Sequence, residues 1–530
     1  MLSNVEARLW STYAHITRNR ITNTFFVLSL LLCFAQGVIQ SLLYALDGRF
    51  AGVFSEIGKA AEIPPRNFTY LDRTNEHYTI RMCNDIPHGQ ALNPCTVIFD
   101  SGNTSSSSED VQTDLVDPQT VLQDLIKGFS VETNYDFGGS NGVQLHSASS
   151  SLVLNKQCTQ ILSYPQQVLK NAAREDLTFI FLQFWLLGVS VYALGNHSVP
   201  HLLTVLSTRL LITIWSIYVV SYRSHKQSTI FSATVSAAGT PCGVDMFPTF
   251  FQTRSGYYIA DAALSVLGLL SLAALSWRLL RIFNDERVAA SHALNRLVND
   301  PFQFFMAVQA CLQMEVFVLV AATSLWVDVL ATSSIRKLSA HTNLYDALII
   351  ATTVILIPWI SLGWYGVRRE HRAMMVSFLV LAFVLLAGWS CMFYSIVFRW
   401  SLLQWPYLAC LTTASFILII ASGVLGTICW RNFDQGLAEY LNAEEALASS
   451  NFAPEVFKRG KDDHTLYNVD KGAFYTYDEP KLPQATFQGA PPQSSHHARS
   501  ASLFTPDMSP VPGPLRGPPP TYDRPYIPPF

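Results

Sequence analysis

From residue 177 to residue 430 the chain is scarcely ever free of long apolar runs, and one more run covers residues 24–46. A helix rises about 1.5 Å per residue, so roughly 20 apolar residues cross the ~30 Å hydrocarbon layer of a bilayer. Inside that layer every backbone amide and carbonyl needs an internal partner, and a helix supplies one within its own segment. The runs therefore restrict the fold to a mostly α class, a polytopic membrane helix bundle of about eight spans. Charged residues make up only 14% of the chain, where a soluble domain carries about a quarter.

Spans are expected at residues 24–46, 177–194, 201–222, 257–277, 302–329, 344–367, 374–397 and 406–430. Trp277, Trp364, Trp405 and Trp430 fall at their ends, where indole rings favour the headgroup layer. The first run follows Arg8, Arg18 and Arg20 and is longer than the apolar core of a cleaved signal peptide, so it reads as a signal anchor. The expected division is a cytosolic N-terminus (1–23), the anchor (24–46), a small α+β extracellular or lumenal domain (47–175), a seven-span bundle (176–430) and a disordered cytosolic tail (431–530).

Orientation follows from where short loops gather arginine and lysine. With the N-terminus in the cytosol, inner loops hold Arg278, Arg281, Arg287, Arg296, Arg368, Arg369 and Arg372. The outer loops hold Arg223, Lys226, Arg254, Arg336, Lys337 and Arg399, a moderate bias. The sequons at Asn67 and Asn103 lie in the 47–175 segment and are the expected glycosylation sites. A third, at Asn196, falls in a tight inner loop and is expected to stay bare. Of nine cysteines, Cys33, Cys311, Cys391, Cys410 and Cys429 sit in spans. Cys83, Cys95, Cys158 and Cys242 all fall on the outer side, where two disulfides are expected. Three pairings are open, and Cys83–Cys95 with Cys158–Cys242 is favoured.

In the outer segment, residues 68–72, 77–82 and 96–99 are rich in β-branched and aromatic side chains and read as strands. Asp117-Pro118 opens a helix whose apolar face is Leu122, Leu125, Ile126 and Phe129. Beyond the last span, Leu437, Tyr440, Leu441 and Leu447 recur near helical spacing beside Glu439, Glu444 and Glu445, an acidic helix that suits a protein surface better than anionic lipid.

Ionisable residues inside a bilayer are costly and therefore informative. Arg209 lies well inside the third span and Glu315 near the middle of the fifth, so mutual neutralisation across helices is expected. Gln309 and Gln313 share a face near Glu315 but not its direction, and Pro358 is expected to kink the sixth span. Asp261 and Asp346 sit near span starts and are expected to be solvated.

The tail carries Pro519, Pro520 and Tyr522 in a Pro-Pro-x-Tyr order. This resembles the ligand motif of WW domains, in which prolines preset a polyproline II helix and little entropy is lost on docking. The resemblance implies a WW-domain partner of the Nedd4 ubiquitin-ligase type, with Lys458, Lys461, Lys471 and Lys481 as acceptors nearby.

Other classes are poorly supported. A net charge of −3 argues against nucleic acid, which needs a basic face. No phosphate loop, zinc-protease helix or nucleophile elbow occurs. His197 and His201 are four apart, but no acidic ligand completes a metal site, so no catalytic residue, metal or cofactor is expected. Seven spans after a tethered outer domain resemble seven-helix receptors in arrangement alone. The first expectation is a cell-surface sensor or interaction and scaffold protein in the plasma membrane or another secretory-pathway membrane, with an outer ligand of unstated identity. The alternatives are a transporter or channel using Arg209 and Glu315, and then a membrane enzyme without a recognisable motif.

If a WW-domain ligase reads the tail, Tyr522→Ala lengthens the protein's lifetime in a chase experiment. Unchanged turnover and unchanged ubiquitylation exclude that partner.

Overall fold

A run of about 20 apolar residues needs only a 30 Å helix, yet the helices that carry the first, second and fourth runs are twice that long. In the computed structural model, residues 17, 19–74, 77–87, 94–102, 130–136, 139–146, 151–237, 239–247, 249–290, 295–333 and 342–433 are described. The expectations at Arg8, Arg18, Asn103, residues 117–129, Arg336, Lys337, residues 437–447 and the motif of Pro519, Pro520 and Tyr522 lie outside them, as does the side chain of Asp346.

The chain opens with α1 (Arg20–Ala60) and continues through β1 (Phe68–Thr74), β2 (His77–Cys83), β3 (Cys95–Asp100), β4 (Ser130–Asp136), β5 (Gly139–His146) and β6 (Ser151–Asn155). It proceeds to α2 (Lys156–Gly195), α3 (Val199–Ser236) and α4 (Phe250–Ala290). Next come α5 (Asn295–Thr332), α6 (Thr342–Arg368), α7 (Arg372–Tyr394), the short α8 (Ile396–Gln404) and α9 (Pro406–Arg431). Among the described residues, eight helices are long and apolar enough to cross a membrane, and each falls on one expected span, although α7 ends at Tyr394, short of the expected end at 397. The protein is thus a mostly helical chain with the makings of a polytopic membrane bundle.

The distribution of side chains matches that environment. Phe34, Phe181, Leu270, Ile357 and Phe383 point outward and are exposed, whereas Gln36, Gln183, Arg209 and Glu315 are buried. Water would reward the reverse arrangement, and lipid rewards this one.

α1 packs along α2, and α4 lies against both α1 and α3; α5 packs on α9, with α6 and α7 completing the bundle. One apolar core joins Phe25, Leu186, Leu312, Trp359, Phe378 and Ile419 through the spans. A second core lies at one end, where α1 to α4 project beyond the apolar runs and meet the strands. There Phe50, Phe231 and Phe247 pack with Ile80, Leu145, Leu154 and Leu162. Phe50 and Phe250 rings are 4.5 Å apart and Phe231 and Phe247 5.1 Å apart, so aromatic contacts tie α1, α3 and the start of α4 together.

Two antiparallel three-stranded sheets, β1-β2-β3 and β4-β5-β6, occupy this end. In the first, Cys83 and Cys95 are register partners and are disulfide-bonded. Cys158, in the first turn of α2, is bonded to Cys242 just before α4. The other five cysteines are free. The segment 47–175 is therefore not a separate α+β module with helices of its own among the described residues. α1 runs through Leu46 to Ala60, and α2 begins at Lys156, well before its apolar run at 177–194.

Within the bundle, Gly363 and Gly426 are among the glycines that permit close helix contact. A Cβ at Gly363 on α6 would lie 2.8 Å from Leu312 and Phe378, and one at Gly426 on α9 would lie 2.6 Å from Met375. Gly37 on α1 has open space instead. Gly363→Ala and Gly426→Ala should each destabilise the protein by about 1–3 kcal/mol through overpacking. Gly37→Ala should leave the midpoint unchanged or raise it. Thermal unfolding in detergent distinguishes these, and equal midpoints for all three variants contradict the packing.

Candidate functional site

On α1, Ser29, Cys33, Gln36, Gln40 and Asp47 recur at helical spacing and all are buried. A helix inside lipid turns such a stripe toward its neighbours, because a polar atom facing hydrocarbon has no partner. The neighbours answer with polar groups of their own: Glu175, Asp176 and Gln183 on α2, Arg209, Thr213, Ser216 and Arg223 on α3, and Arg254, Asp261 and Ser265 on α4.

Where the four helices leave the apolar zone, two ion pairs form. Arg254 Nη2 donates to Asp47 Oδ2 at 2.6 Å, both side chains being at most 2% exposed, and its Nη1 donates to Gln227 at 2.8 Å. The Arg254 guanidinium also lies 5.2 Å from the Tyr258 ring centre. Arg223 is the last residue of a π-helical turn, Val219–Arg223, and grips both carboxylate oxygens of Glu175. Glu175 Oε1 accepts a third bond, from Trp405 Nε1 at 2.5 Å, which draws the start of α9 into the network.

Deeper along the stripe, Ser216 donates to Asp261 Oδ2 at 2.9 Å. Asp261 is thus buried on the inner face of α4, not solvated at a span end, because α4 starts seven residues earlier than the expected span. Further in, Arg209 Nη1 donates to Gln36 Oε1 at 2.5 Å and Gln183 Oε1 at 2.9 Å, while Gln36 Nε2 donates to Ser265 at 2.8 Å. A cavity of about 20 Å³ lies among Gln40, Asp176, Ser216, Tyr258 and Asp261, room for about one water molecule.

Arg209 and Glu315 do not pair. Arg209 is engaged by glutamine amides in the α1–α4 half, and Glu315 accepts from Ser415 of α9 at 2.5 Å. The expectation of mutual neutralisation counted charges without knowing which helices touch. Gln309 donates to the Trp364 carbonyl at 3.5 Å. Gln313 is buried, with neither amide atom hydrogen-bonded among the described residues. α6 passes through Pro358. Asn196 is exposed in the turn between α2 and α3, and Asn67 is half-buried at the start of β1. Among the described residues, no group of three or more His, Cys, Asp or Glu side chains is arranged to hold a metal ion.

Next to the ion pairs, on the side of the strands, lies a cleft of about 160 Å³. It opens among β1, α2, the end of α5 and α8, and its lining includes Asn67, Gln167, Lys170, Arg174, Trp400 and Trp405. Arg174 bonds Asp328 at 2.5 Å, Asn171 at 2.7 Å and Thr332 at 2.5 Å, and stands 5.9 Å from the Trp405 ring centre. Phe68 and Tyr70 of β1 meet Trp400 edge-on at 6.2 and 5.2 Å. Trp405 is therefore shared: its face borders the cleft and its N–H holds Glu175.

The chain matches no protein-family model, no curated protein and no solved structure.

Sequence reasoning missed Asp47, Glu175, Asp176, Arg223 and Arg254, because each lies just outside an apolar run. The signal for Asp47 was present in its spacing from Gln36 and Gln40, which continues the same helix face beyond Leu46. Asp47→Ala leaves Arg254 buried without its counter-ion and should cost about 3–5 kcal/mol. The double variant Asp47→Ala/Arg254→Leu should lose clearly less than the sum of the two single changes. A double-mutant cycle from unfolding in detergent measures this, and additive losses would show the pair to be uncoupled.

Proposed function

We propose that the chain acts as a cell-surface sensor or interaction protein, with its strand-bearing end outside and both termini in the cytosol. The reading is carried by the continuity of α1 and α2, which run from the bundle into the strand-bearing end with their crossing region closed by ion pairs. Binding at that end displaces the same two helices that line the interior, so an outside contact reaches the bundle without a hinge. The cleft beside Trp405 is the contact site, since Trp405 touches both the cleft and the buried Glu175.

Orientation draws support from two sources. Both disulfides lie at the strand-bearing end and the free cysteines lie in the spans, as an oxidising outer compartment favours. Arg278, Arg281, Arg368, Arg369, Arg372 and Arg431 gather at the opposite end. The tail motif at Pro519, Pro520 and Tyr522 would then face cytosolic ligases, and Asn67 would face the glycosylation machinery.

A transporter or channel is the second reading, favoured by the polar stripe from Ser29 to Asp47. Against it, Arg209, Arg223 and Arg254 are each held by neighbouring side chains, and the cavity beside them holds about one water.

Single cysteines at positions 59, 209 and 315, in a variant lacking Cys33, Cys311, Cys391, Cys410 and Cys429, test both points with a membrane-impermeant thiol reagent. Position 59 should be labelled from the cell exterior, and positions 209 and 315 should be protected in protein that remains monodisperse. Labelling at 209 and 315 moves the assignment to the transporter. Labelling at 59 only after permeabilisation reverses the orientation.

A further inference from the structure

Among the described residues, no Asp or Glu side chain lines the cleft, although Glu175 is bonded to its lining residue Trp405. Its two cations differ in status. Arg174 is already committed to Asp328, Asn171 and Thr332. Lys170 forms no ion pair among the described residues, and its ammonium donates only a long 3.5 Å bond to the Thr332 carbonyl. The side chains of Gln167, Asn171 and Gln404 share the lining with it. Lys170 thus brings to the cleft an ammonium outside any ion pair among the described residues, and Asp328, a carboxylate that acts on it, is already held by Arg174; that arrangement suits a single anionic group.

The level of the cleft narrows the source of that anion. It is floored by α8, a nine-residue helix lodged between two spans. Trp400, Ser401 and Gln404 turn one face of α8 to the cleft, while Ile396, Arg399 and Leu403 form its exposed face. Leu403 is 78% exposed, and Tyr394 just before the helix is 88% exposed. A short helix with an apolar outer face and one snorkelling arginine belongs at a membrane interface. Trp400 and Trp405 at the same level fit the headgroup layer. An anion at this depth reaches the cleft from the bilayer with its acyl chains beside it.

We propose that the cleft binds the anionic phosphodiester headgroup of one membrane phospholipid, held by Lys170 and the surrounding amides, with the acyl chains leaving past Tyr394 and Leu403. This rests on the reading of the cleft as the sensor's contact site and names the chemistry of its ligand. Occupation would bear on Trp405 and, through its N–H, on Glu175 and Arg223.

The full chain in neutral-detergent micelles, doped with phosphatidylglycerol or with phosphatidylcholine, provides the test, read as the shift of the thermal midpoint with lipid fraction. Phosphatidylglycerol should raise the midpoint and phosphatidylcholine should not. Lys170→Gln should weaken the apparent affinity for phosphatidylglycerol about tenfold or more, the loss expected of one charge-assisted hydrogen bond. Lys170→Arg should retain it, and Lys59→Gln, on an exposed part of α1, should not alter it. Gln404→Glu, which places a carboxylate in the cleft, should abolish the effect and serves if Lys170→Gln does not fold. Equal responses to the two lipids, or an unchanged response in both Lys170→Gln and Gln404→Glu, overturn the proposal. A matching shift with inorganic phosphate alone removes the lipid and leaves a free anion as the occupant. None of these outcomes depends on thiol access at positions 209 and 315, so this proposal and the sensor reading fail separately.

Discussion

Burying a carboxylate or a guanidinium costs several kcal/mol per ion after relaxation, and this protein buries six such groups among its first four helices: Asp47, Glu175, Asp176, Arg209, Arg254 and Asp261. Asp47 with Arg254, and Glu175 with Arg223, offset that cost only when α1, α2, α3 and α4 stand in one relative register. A hydrophobic contact tolerates a slide of an ångström or two, whereas a two-oxygen grip on a guanidinium does not. The pairs therefore specify which helix lies beside which, a task that leucine and phenylalanine alone perform poorly inside lipid. The second apolar core, the two sheets and the cleft are all built on the helix ends that these pairs align.

Two regimes of packing meet at that crossing. Below it, the helices turn polar groups such as Gln36 and Gln183 inward while Phe34, Phe181 and Phe184 face outward. Above it, the same helices bury Phe50, Phe54 and Phe247 and accept strands on their flanks. A single helix such as α1 changes solvent preference part-way along its length without a break in its backbone. Ser29 to Asp47 serve the first regime and Phe50 to Ile57 the second.

That change of regime also explains what was legible in the sequence. The spans were readable because about 20 apolar residues in a row have few alternatives. Their true ends were not, since Asp47-Gly48-Arg49 looks like a loop until Arg254 is known to lie opposite Asp47. Strands β1 to β3 declared themselves through residues such as Tyr78, Ile80, Val97 and Phe99. Strand β5 did not, because Gly139, Ser140, Asn141 and Gly142 lack the bulky side chains that mark a strand. Gly142 is needed there all the same: its φ is +151°, and a Cβ would fall 2.0 Å from the Leu154 carbonyl oxygen. The cysteine positions pointed to the pairing found at both disulfides. Arg209 and Glu315 stood out as isolated charges, but composition cannot say which helices are neighbours, and each found a different partner.

The ion pair between Asp47 and Arg254 joins residues 207 positions apart in the chain. At a synthesis rate of about 5–20 residues per second, Asp47 emerges from the ribosome on the order of 10–40 s before its counter-ion exists. Through that interval the carboxylate lacks the guanidinium that holds it in the folded bundle. The contact that fixes the register of the first helix is thus one that can form only after the fourth has been made.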